Sequence, residues 1–310
     1  MPPWENQVAQ SDSDFLDKND IPEKTSRTVE REREEIRYTN VIVKRIDEST
    51  RHPDDILERT IEEGQEQLYR PFISLLLSSF AAALILSFTV MAVALVVSGL
   101  ADADMPFVSR VAVAFVYPLG FILCIFSGTQ LFTEHTATAI YPVLDKRASP
   151  KRLLRLWATV ILGNLLGAFS GALLLTSSDV VIGASAGYEA IGHHLVSYPF
   201  KDLLLSAVLA GWLMAIGAWL LRASADATSH IIAIFIVTFL IGLGGLHHSI
   251  AGAVEMFAAL LVAPHFTIQQ AAFFIATAVA GNLIGGSIFV GVLNYAQIRS
   301  TQIPAADSKI

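Results

Sequence analysis

Phe126-Ser127-Gly128-Thr129-Gln130-Leu131-Phe132-Thr133-Glu134-His135 and Gly242-Leu243-Gly244-Gly245-Leu246-His247-His248-Ser249 each interrupt a long apolar stretch, residues 107–144 and 231–263. A regular helix crosses the hydrocarbon core in about 20 residues. The first stretch is too long for one such helix, and both carry Gly and polar residues in mid-run. We therefore expect each to be two half-helices sharing one crossing. Irregular backbone at membrane depth has to be buried in protein or line a wet cavity. A half-helix starting there directs its unpaired N–H groups and positive dipole end into that cavity, which favours an anion without a fixed charge.

Outward from these breaks, residues 72–100, 153–176, 199–221 and 270–296 are further apolar runs of spanning length. The expected fold is an all-α membrane protein with six transmembrane helices, spans 2 and 5 broken. Pro71-Phe72 with Leu75-Leu76-Leu77-Ser78 recurs as Pro199-Phe200 with Leu203-Leu204-Leu205-Ser206. Gly163-Asn164-Leu165-Leu166-Gly167 recurs as Gly281-Asn282-Leu283-Ile284-Gly285, and Thr133-Glu134-His135-Thr136 has a counterpart in His247-His248-Ser249. Three spans per half means the halves enter the membrane from opposite sides, an inverted 3+3 repeat. Interrupted helices at matching positions of two halves point to a transport site near the midplane.

The 310 residues are 53% hydrophobic with net charge −7, and a mean hydropathy of +0.54 excludes an ordinary soluble globule. Residues 1–70 carry 11 Lys/Arg against 18 Asp/Glu, whereas residues 71–296 carry 8 against 9. Residues 1–52 read as a charged, disordered tail, 53–70 as an amphipathic helix against the inner membrane face, 71–296 as the channel domain and 297–310 as a second tail. Pro53, Asp54 and Asp55 suit a helix start, and Ile56, Leu57, Ile61 and Leu68 form its apolar stripe. No basic head precedes an apolar core at the start, so no cleavable signal peptide is expected. Lys146, Arg147, Lys151, Arg152 and Arg155 share one loop, with Arg222 and Arg299 on the same side and only Arg110 and Lys201 opposite. That asymmetry puts both termini in the cytoplasm. Cys124 is the single cysteine, so there is no disulfide scaffold. The acidic balance, with no clustered basic face, excludes nucleic acid as a partner.

Leu119-Gly120-Phe121-Ile122-Leu123-Cys124 with Gly128 and Leu131-Phe132-Thr133 resembles the second-span signature of formate/nitrite transporters. Trp157 with Gly163-Asn164-Leu165-Leu166-Gly167-Ala168 is similar to the third-span motif, His248-Ser249-Ile250-Ala251 to the fifth and Gly281-Asn282-Leu283-Ile284-Gly285-Gly286 to the sixth. The resemblance covers residues 71–296, and within the family it is to a divergent bacterial inner-membrane branch with a long acidic N-terminal extension. It implies an aquaporin-like fold, a homopentamer with one pore per protomer, and passage of small monovalent anions such as formate or nitrite, often with a proton. It further implies that His248 is the central histidine, with Thr133 opposite it.

An ionisable side chain within a span usually faces a pathway, and imidazole exchanges protons near neutrality. His248 and Thr133 lead the candidates for the substrate pathway, followed by His247, Glu134 and His135. Glu134 suits a positive helix end, as cap or proton relay, and Glu255 lies two turns beyond His248. Tyr117, Phe121, Leu131 and Ile241 stand where family members narrow the pore, and apolar constrictions work by dewetting. Asn164 and Asn282, within the frames Gly163/Gly167 and Gly281/Gly285, read as packing and hydrogen-bonding residues that hold the broken helices. Adjacent histidines on a helix point about 100° apart, so His135, His247 and His248 are not expected to share a metal ion. No metal ligand set, cofactor or enzymatic function is assigned.

The sequence departs from the family at Ile241, where an aromatic gate is usual, at Trp212, where a small amide is usual, and at Gly252, where asparagine is usual. No clear outer-mouth lysine is present; Lys201 or His193-His194 are substitutes. The alternatives are a small neutral-solute channel, although no Asn-Pro-Ala pair is present, a metal-dependent intramembrane enzyme, and a transport-inactive sensor or scaffold working through the acidic tail.

Overall fold

Phe72–Gly99 contains 28 residues and no charge. In apolar surroundings such a segment satisfies its backbone only by pairing it internally, as a helix. The computed structural model describes residues 51–101 and 105–301, and helices are their only regular elements. The expected charged tail therefore falls, up to residue 50, outside the described residues, as do Asp102–Asp104 and residues 302–310.

The helices are α1 (Pro53–Tyr69), α2 (Phe72–Gly99), α3 (Pro106–Val116), α4 (Pro118–Phe126), α5 (Phe132–Thr138), α6 (Tyr141–Leu144), α7 (Pro150–Ser177), α8 (Asp179–Ile182), α9 (Ser185–Val196), α10 (Phe200–Ala223), α11 (Ala227–Gly244), α12 (Ser249–Val262), α13 (Ile268–Gly286) and α14 (Leu293–Thr301); a π-helical segment, Ser287–Val292, joins the last two. Among the described residues six helices are long and apolar enough to cross a membrane: Phe72–Gly99, Pro106–Phe126, Pro150–Ser177, Phe200–Ala223, Ala227–Gly244 and Ile268–Ser300. The protein is a multi-pass α-helical membrane protein. Its outward side chains are apolar too, among them Leu77, Leu119, Leu154, Phe169 and Ile236, as a lipid or subunit-facing surface requires.

Helix α7 packs along α2, and α13 along α10, each through a glycine ridge. A Cβ on Gly163 would lie 2.6 Å from Ser79 Cβ, and one on Gly167 would meet the Phe80 carbonyl. One on Gly281 would lie 2.5 Å from Ala207 Cβ, and one on Gly285 would meet the Val208 carbonyl. Small residues let membrane helices approach this closely and collect dispersion contacts that lipid cannot supply.

Helical backbone stops at Phe126 and resumes at Phe132, and again stops at Gly244 and resumes at Ser249. Gly128 (φ +65°) and Gly245 (φ +60°) turn the chain at these two places, in a conformation that costs a side-chain-bearing residue energy. Pro118 adds an irregularity between α3 and α4. There the Thr89 hydroxyl donates to Tyr117 O at 3.0 Å and accepts from Gly120 N at 2.9 Å, so the disturbed backbone stays paired.

Helix α1 starts with Pro53 at its first turn, and His52 Nδ1 accepts from Asp54 N at 3.3 Å. Its apolar stripe faces protein: Leu57 and Ile61 are buried with Tyr141, Ala215, Val290 and Ile298. Glu58 completes the contact, 3.2 Å from Arg147 and 3.1 Å from Arg299. Burial raises the Glu58 carboxyl above its ordinary range, and the two guanidiniums partly offset that.

Candidate functional site

The two helix starts at Phe132 and Ser249 need partners for their first N–H groups, and a buried asparagine serves each. Asn164 Oδ1 accepts from Phe132 N at 2.9 Å, while its Nδ2 donates to Ser79 O at 2.7 Å and Gln130 O at 3.0 Å. Asn282 Oδ1 accepts from Ser249 N at 2.8 Å, while its Nδ2 donates to Ala207 O at 2.7 Å and His247 O at 3.0 Å. Each amide therefore ties a helix start, the residue two before it and a neighbouring span into one unit. With one donor and two carbonyls around each, the amide orientations follow from the network.

His248 is the N-cap of α12, its Nδ1 accepting from Ala251 N at 3.1 Å. Since Nδ1 is an acceptor, the neutral ring carries its proton on Nε2. That nitrogen lies 2.9 Å from Thr133 Oγ1, so it donates to the hydroxyl. A proton on Nδ1 would set donor against donor at the cap. Charging the ring therefore requires the imidazole to leave Ala251 N. Phe121 meets the His248 ring edge-on at 5.0 Å between centroids, and Tyr117 lies 5.3 Å from Phe121.

On one side of this pair opens a cavity of about 240 Å³. Tyr117, Ile241, His247, His248 and Glu255 line it, as do His194 and Phe274. His247 Nδ1 is 2.8 Å from Ser206 Oγ, and its ring stacks on His194 at 5.8 Å. Burial, and secondarily the Arg110 guanidinium, hold the His194 imidazole below the usual histidine range against a Gly245 backbone contact that raises it. Gly252 stands where asparagine was expected because Phe274 takes the space: a Cβ there would lie 2.6 Å from its ring.

Other candidates sit apart from the cavity. Leu131 is fully buried as the residue before α5, without lining it. Glu134, in the first turn of α5, is 3.5 Å from Arg222, which also pairs with Glu63 of α1 at 2.5 Å. It borders a narrow cleft with Met214, Leu221, Val237 and Thr238. His135 is buried, and among the described residues its ring nitrogens have no hydrogen-bond partner; its carbonyl accepts from Trp157 Nε1 at 3.2 Å. Trp212 stacks on Phe289 and is 38% exposed, away from the cavity. Lys201 is exposed and absent from the cavity lining.

Participants that escaped the sequence include Arg222 as the Glu134 partner, Arg110, Ser206, Glu63 and Phe274. Arg222 and Arg110 were legible only as loop charges. Ser206 occupies the repeat position of Ser78, the one signal that pointed to it.

An all-helical bundle with a cavity ending at the capped start of α12 fits a membrane channel or carrier. The family model described as formate/nitrite transporter matches residues 54–296, and the chain belongs to that family. It is 30% identical over 253 residues to inner membrane protein YfdC of Escherichia coli (strain K12), covering 79% of this chain and 78% of that protein. It is 24% identical over 250 residues to formate channel BtFdhC of Bacillus thuringiensis, covering 79% and 94%. Among solved structures, a formate/nitrite transporter family ion channel superposes with a TM-score of 0.71 at 18% identity, covering 80% of this chain and all of that one. A pentameric formate channel with formate bound superposes at 0.63 with 20% identity, covering 74% and 98%. At these identities the two structures share the fold.

Proposed function

We propose that this protein conducts small monovalent anions of the formate/nitrite class through one pore per protomer of a homopentamer in the bacterial inner membrane, with His248 as the central polar group. The observation that carries it is the 2.9 Å contact between Thr133 and His248, from two helix starts that matching asparagines hold. The matching hydrogen bonds of Asn164 and Asn282 also support an inverted 3+3 repeat in an aquaporin-like fold, with spans 2 and 5 each broken into half-helices. The distribution of positive residues supports cytoplasmic termini.

Tyr117, Phe121, Leu131 and Ile241 then form the apolar collar that a hydrated ion has to cross. The Thr133 hydroxyl, which accepts from Nε2 and keeps its own proton to donate, and the positive end of α12 offer the anion a donor without a permanent charge. Proton linkage requires the ring to break its cap and take a second proton, while His247 and His194 flank the approach. Glu134, neutralised by Arg222, belongs to the other mouth. His135 is the weakest pathway candidate, as it reaches neither mouth.

Purified protein in liposomes should pass formate or nitrite, and His248→Ala should change the rate at least about tenfold, measured by radiotracer or stopped-flow flux. Absence of flux for every small weak-acid anion from pH 5 to 8 would overturn the proposal. A neutral-solute channel is the second reading, favoured by Glu255 on the cavity wall, since a carboxylate there repels anions. It predicts that flux follows the neutral acid concentration alone and that Glu255→Gln leaves its pH profile unchanged.

A further inference from the structure

We propose that Glu189, His193 and His265 form a binding site for a divalent transition ion of the zinc type, outside the cavity. Glu189 and His193 stand four residues apart on α9 and so project from one face. His265 comes from the connection between α12 and α13. Its Nε2 lies 3.2 Å from His193 Nε2 and 3.8 Å from Glu189 Oε1, and one ligand atom of each residue falls within 4.8 Å of the others. Two imidazole nitrogens bound to one tetrahedral zinc at about 2.0–2.1 Å stand about 3.3 Å apart. The pair is therefore already at ligand spacing.

The donor set selects the metal class. Two imidazoles and one carboxylate suit zinc, nickel, cobalt or copper, whereas magnesium and calcium require oxygen ligands. Three protein ligands leave a position for water, so the site is open. All three side chains are exposed, and an ion reaches them from solution.

The site is held from beneath. A Cβ on Gly192 would lie 2.5 Å from Ala259 Cβ and 2.7 Å from the Phe266 ring, so α9 rests directly on α12 and on this connection. Phe266 packs under both imidazoles, with centroids 5.1 Å from His193 and 4.3 Å from His265. Beyond it, Thr267 and Gln270 close a capping box that anchors the start of α13. Both histidines thus sit on a fixed base, which lowers the ordering cost of binding. A bound ion would tie α9, whose next residue His194 lines the cavity, to the 263–267 connection.

The test is calorimetric titration of chelator-treated, detergent-solubilised full-length protein with zinc chloride. One zinc per chain is expected, with affinity falling about tenfold or more in His193→Ala and in His265→Asn, less in Glu189→Gln, and not at all in His230→Ala. Should His193→Ala elute as aggregate, His265→Asn, at an exposed connection, carries the test. Zinc should also slow hydrogen exchange in residues 185–196 and 263–267 of the wild type and leave His265→Asn unaffected. No binding, equal binding by magnesium, or unchanged affinity in His265→Asn would overturn the proposal and assign the 3.2 Å contact to an N–H···N hydrogen bond between neutral rings.

Discussion

The two helix starts at Phe132 and Ser249 share one scaffold and differ in chemistry. Asn164 and Asn282 make equivalent bonds to them, with lengths agreeing within 0.1 Å. The first start contributes a hydroxyl, Thr133, and just past it the carboxylate of Glu134, tied through Arg222 to α1. The second contributes an imidazole, His248, preceded by His247 on the cavity wall. What the halves share is what holds the backbone. Where they differ is in the polar side chains that each start presents.

The hardest test of the shared scaffold is to remove it from each half. Asn164→Leu and Asn282→Leu each strip a buried helix start and a buried carbonyl of partners, costing about 3 kcal/mol or more. Thermal unfolding of the solubilised protein should show two similar losses; a large loss at one position only would break the equivalence.

The asymmetry is tested next. Arg222→Met leaves the half-buried Glu134 without its cation. Loss of one partner from a buried pair costs roughly 3–5 kcal/mol, and the 40% exposure of Glu63 reduces the expectation here to about 2 kcal/mol. Glu134→Gln in the Arg222→Met background should restore most of it. No restoration would mean that Arg222 serves Glu63 alone.

Across the junction, Thr133→Val removes a hydroxyl at nearly constant volume, with an expected loss of about 1 kcal/mol. His248→Asn keeps a capping side chain but removes Nε2. If the contact joins the two halves, the double variant costs less than the sum of the singles; strict additivity would refute the coupling.

The smallest effect is a pH dependence from His194 on the cavity wall. His194 is held below the usual histidine range, so the folded protein favours its neutral form and the unfolded chain binds the proton more readily. The stability it contributes is full above about pH 6.5 and falls as the pH drops from there toward the lower native value. His194→Gln should flatten that part of a melting-temperature profile between pH 7.5 and 5.5, while Glu134→Gln should not.

Much of this comparison was legible beforehand, for identifiable reasons. Apolar runs of spanning length require helices where the backbone finds no water, so four of the six apolar segments located themselves to within a few residues, whereas the runs 107–144 and 231–263 reach well beyond the spanning helices Pro106–Phe126 and Ala227–Gly244. Gly128 and Gly245 marked the interruptions because glycine and polar groups are anomalous in such runs. Asn164, Asn282, Thr133 and His248 stood out as polar residues in segments that otherwise exclude them. Facing was not legible. A helix apolar all round has almost no periodic pattern to say which side turns inward. Thus Trp212, in α10, registered only as a departure from the family pattern, and that it stacks on Phe289, away from the cavity, was not readable from its segment. The partner of Glu134 was hidden for the same reason: Arg222 looked like a loop charge until α10 brought it beside α1 and α5.

Composition and local pattern alone therefore settled that the chain builds six apolar helices and where two of its apolar runs are interrupted. Backbone desolvation is a local requirement, and each segment has to meet it by itself. Which groups meet at the interruptions was decided only in three dimensions. The Thr133–His248 contact, the His194–His247 stack and the Glu189–His193–His265 cluster join segments far apart in the chain, and hydrogen-bond and ligand geometry tolerates only tenths of an ångström. That precision comes from glycine ridges packing helix on helix, and no single segment encodes it.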